Sequence, residues 1–101
     1  MLRYLIRVTY NEGIHKGESY LLRKGGYVTE EGRVEWEDTT YKTEGMCRRV
    51  CKHLFEENEL SRKRERMDEQ IRIKRGGHPK SFYIYESCSY EPFPVEAAKN
   101  L

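Results

Sequence analysis

"MCRRVCKHLF", residues 46–55, holds two of the chain's three cysteines, four residues apart, with a histidine two residues on. Its reading decides the fold. At about 100° per residue, Met46, Val50, Leu54, Cys47, Cys51 and Phe55 fall on one arc of roughly 180°. Arg48, Arg49, Lys52, His53 and Glu56 fall on the other. The pattern predicts an amphipathic helix over residues 44–58. Thr43 serves as N-cap and Glu44 suits the positive helix start. Both cysteines lie in the apolar stripe, and His53 points away from them.

Working towards the N-terminus, "LRYLIRVTY" (2–10) alternates over nine residues. Leu2, Tyr4, Ile6, Val8 and Tyr10 share one face, which argues a half-buried strand. "NEGIHKG" reads as a loop. "SYLLRK" (19–24) is a shorter strand hairpinned to the first and ended by Gly25-Gly26. A third strand is expected near 33–37 or 39–42. Trp36, the only tryptophan, is expected to be mostly buried.

Working towards the C-terminus, "EENELSRKRERMDEQ" is nearly free of apolar residues. It either extends the helix into solvent or forms a charged loop. "QIRIKR" (70–75) alternates, with Ile71 and Ile73 inward. "GGHPK" is a turn, and "SFYIYESCSY" (81–90) a last strand, the two strands forming a hairpin. Pro92 and Pro94 are expected to stop that strand, leaving residues 92–101 as a tail or short helix beyond a single 1–91 domain. The order β-β-(β)-α-β-β predicts an α+β fold: an antiparallel sheet of four to five strands with one main helix on one face. Trp36, Ile6, Val8, Val50, Leu54, Ile71, Ile73 and Ile84 are the expected core.

The chain has 101 residues, 37% hydrophobic and 36% charged, which fits one domain with a thin core and a highly charged surface. The net charge of +2 does not by itself point to nucleic acid or membrane. No apolar run is long enough to span a bilayer, and the charged alternation from Arg3 onward does not read as a signal peptide. Three cysteines with no sign of export predict a reducing cytoplasm. Phosphate-loop, HExxH and GxSxG signatures are absent, so the chain reads as a non-enzyme.

Residues i and i+4 on a helix are neighbours, so Cys47 and Cys51 are placed to chelate one ion. If the last strand folds back unbroken, Cys88 joins them. His15 is then the best fourth ligand, since His53 faces away and His78 sits far along at the hairpin tip. The competing reading makes all three cysteines small apolar filling. One structural zinc on Cys47, Cys51 and Cys88 and an inert core are the two main alternatives; a third, a reactive thiol, wants an exposed thiolate beside a base, and these thiols read as buried.

Between residues 61 and 75, seven bases, among them Arg62, Lys63, Arg64 and Arg66, outnumber three acids. Such a patch meets phosphates or an acidic protein surface, or is a solvated helix end. Glu30, Glu31, Glu35, Glu37 and Asp38 form the acidic counterpart. Tyr83 and Tyr85 are expected on the outer sheet, as protein anchors, stacking platforms for bases, or plain cross-strand pairs.

The middle of the chain, "YLLRKGGYV…VEWEDTTYKTEGMCRRVCKHLF" (19–55), resembles short phage and mobile-element proteins of the anti-CRISPR and other anti-defence inhibitor type. They share a strand pair, a Gly-Gly, a tryptophan, a "YKT" lead-in and a helix. The resemblance implies a protein-binding inhibitor whose partner is a host protein such as a CRISPR-associated nuclease complex, met in the host cytoplasm. On that view the acidic residues compete for a basic nucleic-acid channel. The alternative is a small nucleic-acid-binding regulator that uses the basic segment.

Overall fold

The computed structural model describes residues 2–77 and 87–99. Strands β1 (Leu2–Tyr10), β2 (Ser19–Leu22), β3 (Val28–Thr29) and β4 (Glu35–Trp36) precede one helix, α1 (Glu44–Lys74), and β5 (Cys88–Ala98) follows it. The sheet order is β3-β2-β1-β5-β4. All pairings are antiparallel except β4 with β5. The fold is α+β as the alternation predicts, but the order is β-β-β-β-α-β.

The centre of the sheet is β1 against β5, in register from Leu2↔Glu96 to Tyr10↔Cys88. The even face of β1 packs on α1. Ile6 and Val8 are buried there with Tyr41, Cys47, Cys51 and Cys88, and Val50 and Leu54 pack against them half-buried. Leu5, one residue out of phase, is buried on the opposite face, as is Leu21, its near neighbour across the β1–β2 pair. Residues 30–34 cross this second face on the way to β4 at the far edge. Arg7 on β1 holds the crossing by an ion pair to Glu31 (2.9 Å) and lies 4.6 Å over the Phe93 ring.

Three expectations are corrected. Residues 70–74 are helix, not strand, and Ile71 and Ile73 are exposed. A two-residue alternation over so short a run is outweighed by its setting among Arg, Lys, Glu, Gln and Met, all good helix formers. Trp36 is 49% exposed, because its strand neighbour Glu35 takes the inward position and alternation turns Trp36 outward. Finally, β5 runs through Pro92 and Pro94 to Ala98, so residues 92–98 are not a tail.

The prolines fit because of their spacing. Tyr4 donates its backbone N–H to Tyr41 O and accepts from Tyr41 N, so its polar groups point away from β5. Tyr4↔Pro94, and Ile6↔Pro92 two residues on, are therefore non-hydrogen-bonded pairs. Each proline lacks an N–H only on the side where β1 asks for none. Ile84 of the expected core, and most of the expected 81–90 strand, lie outside the described residues. Cys88, Ser89 and Tyr90 are in β5.

Candidate functional site

α1 is 31 residues long, about 46 Å at 1.5 Å per residue. Thr43 caps its start, the side chain accepting from Met46 N at 3.2 Å. At its end Arg72 and Lys74 face the negative pole, and Gly76, with φ 83°, donates to Ile73 O. The sheet supports only part of this length. The last residue α1 buries is Arg62. It forms ion pairs with Glu12 of the β1–β2 loop (2.6 Å) and Glu59 one turn back (2.8 Å). Arg62 therefore anchors the helix instead of facing a partner.

Beyond Arg62 the helix continues for three turns. Lys63, Arg64 and Arg66 are exposed, as the basic-patch reading requires. Leu60, Met67 and Ile71 are exposed too, and helical geometry puts them within about 40° of one another on the side away from the sheet. Lys63, Arg64 and Lys74 flank that stripe. A shallow hollow of about 460 Å³ lies beside it, lined by residues including Phe55, Glu59, Leu60, Lys63 and Arg66. The sequence pattern named the bases. It missed the apolar stripe because the core was expected to claim Ile71, and Leu60 and Met67 looked isolated.

The acidic segment is arranged differently from its expected role. Glu35 is buried. It accepts from the Thr29 hydroxyl and, at 3.2 Å, from the Thr39 hydroxyl, with Arg23 at 4.0 Å. Glu37 pairs with Arg3 at 3.6 Å, and the same guanidinium donates to Thr40 Oγ1 (2.6 Å) and Thr40 O (3.2 Å). Glu31 is tied to Arg7. Of the five acids, Glu35 is out of any partner's reach, and Glu31 and Glu37 already have basic partners within the chain. Glu30 is exposed, and Asp38 lies in a single 3-10 turn. Tyr83 and Tyr85 lie outside the described residues.

All three thiols are buried and free, and share one core cluster. Among the described residues no three His, Cys, Asp or Glu side chains converge as metal ligands would. His15, the candidate fourth ligand, pairs instead with Glu18 (2.7 Å) and packs on Tyr10 with ring centroids 5.4 Å apart. Cys47 lies 3.3 Å from Leu5 O and donates to it. The neighbouring Cys47 sulfur and the Arg48 charge lower Cys51 from the ordinary thiol range against the opposing effect of burial, and the neighbouring Cys51 sulfur, with burial, pushes Cys47 up. No protein-family model, no curated protein and no solved structure matches this chain.

Proposed function

We propose that this protein is a non-enzymatic binding protein that docks on a partner protein through the outward face of α1 from Leu60 to Lys74. The supporting observation is the stretch of helix from Leu60 to Lys74, most of it beyond Arg62, which carries an apolar stripe flanked by bases. Three aligned apolar side chains match the anchors of a helix laid in a groove, and flanking lysine and arginine match an acidic rim. The resemblance of residues 19–55 to phage anti-defence inhibitors puts the partner among host defence proteins, with CRISPR-associated nuclease complexes first to try. Inhibition then follows from covering a functional surface.

The test is binding to a purified CRISPR-associated nuclease complex, measured for the parent protein, Met67→Asp and Arg64→Glu. Both positions are exposed, so the fold is kept. Each substitution is expected to weaken binding about tenfold or more, as loss of a hot spot does. Full affinity in both variants rules out this face. A second reading is favoured by the exposure of Lys63, Arg64 and Arg66: a nucleic-acid regulator holding phosphates. It predicts a gel shift with generic DNA or RNA at low salt that weakens steeply as salt rises. No shift at low salt removes it.

A further inference from the structure

The two helix thiols have a second feature that the binding face does not use. Between α1 and β5 lies a hollow of about 330 Å³, lined by Arg48, Cys51, Lys52, Phe55, Ser89 and Tyr90. Cys51, itself only 4% exposed, is its one thiol. Lys52 and Arg48 are exposed cations beside it, Arg48 also ion-paired with Glu44 at 2.5 Å, and Phe55 and Tyr90 supply apolar walls. Cys47, one turn earlier, is fully buried behind it. Cys88, in the same core cluster, does not line the hollow.

We propose that Cys51 is a modification site selective for anionic disulfides, and that it takes a small carboxylate-bearing thiol into this hollow as a mixed disulfide. The Cys51 thiolate attacks one sulfur of the disulfide. The incoming S–S bond breaks as the Cys51 S–S bond forms, and the other half leaves as a thiolate that takes a proton from water. Cys51 is oxidised and the leaving half is reduced, so no other oxidant enters. Arg48 and Lys52 line the hollow with Cys51, so their charges attract the carboxylates and favour the attacking thiolate. Cys47 does not resolve the adduct. Helix neighbours four apart hold their Cβ atoms about 5–6 Å apart, and a disulfide needs roughly 3.5–4.5 Å. The adduct therefore persists until an external thiol removes it.

The experiment compares two aromatic disulfides on the native protein near pH 7: the dianion 5,5′-dithiobis(2-nitrobenzoate) and the neutral 4,4′-dithiodipyridine. One thiol per chain is expected to react fast, and peptide mass spectrometry to map it to Cys51. The double variant Arg48→Glu/Lys52→Glu, altered only at exposed positions, is expected to slow the dianion about tenfold or more and the neutral reagent about twofold or less. The proposal is overturned if all three thiols react together at the rate of unfolding. It is equally overturned if the fast thiol is Cys47 or Cys88, or if charge reversal slows both reagents alike.

Discussion

Glu35 sets the second face of the sheet. A carboxylate taken from water needs its lone pairs filled, and Thr29, Thr39 and Arg23 approach it. Those partners tie β2, β3 and the turn after β4 to one point. Glu35→Ala would leave the buried Thr29 hydroxyl without its acceptor and Arg23 without its carboxylate, while Thr39 keeps Trp36 O at 2.7 Å, and is expected to lower stability by about 2 kcal/mol. Glu30→Ala, at an exposed position, is expected to change it by less than about 0.5 kcal/mol. Urea titration of both variants checks this. Tyr41, buried, and Tyr20 and Tyr90, half-buried, predict a second behaviour. Burial, with Tyr10 beside it, pushes the Tyr20 phenol up to about 12 from 10.0, and burial raises Tyr41 and Tyr90 in the same direction. Above pH 10 the unfolded chain loses these protons while the folded chain keeps them. Their contribution to stability is complete below about pH 10 and lost as pH rises through the folded values. The melting temperature is expected to fall steeply between about pH 10 and 12. An unchanged melting temperature across that window would contradict the burial of these rings.

α1 is one helix by hydrogen bonding and two by support. Its first half buries Cys47 and Cys51, and its second half buries only Arg62. Opening free energy follows tertiary support. Amide exchange is therefore expected to be slow from Cys47 to Asn58 and progressively faster past Arg62. Uniform protection along the helix would show cover on its far end. Arg62→Ala should move that boundary towards the N-terminus, since it removes the tie to Glu12. The sequence pattern revealed α1's first half with its N-cap, and β1 and β2, because each carries a full period of apolar residues that the core uses. Past Asn58 no core imposes a period, and "QIRIKR" read as a strand. β5 was hidden for another reason. Prolines two apart look like strand breakers unless the neighbouring strand's hydrogen-bond phase is known, and that phase is set by β1 and Tyr41, far away in sequence. Glu35 was misplaced because charge suggested surface. The three hydroxyl and guanidinium partners that make it a core residue lie four to twelve residues away on other elements.

The molecule as a whole is long. Its radius of gyration is 16.8 Å and its extents are 58 × 22 × 21 Å, against a radius of about 13 Å for a compact chain of this length. Small-angle scattering is expected to return a radius near 17 Å. A value near 13 Å would mean that α1 folds back on the sheet and that the proposed binding face is covered. The pairing at the centre of the sheet sets the order in which this shape is reached. β1 meets β5, with Ile6 opposite Pro92. On the ribosome those partners emerge 86 residues apart, roughly 4–17 s at 5–20 residues per second. During that interval Ile6 and Val8 gain first β2 and then α1 for company, but no central neighbour. The nascent chain is thus committed to waiting with an open seam, and it is in that window, not in the finished fold, that this protein is most exposed to chaperones and to wrong partners.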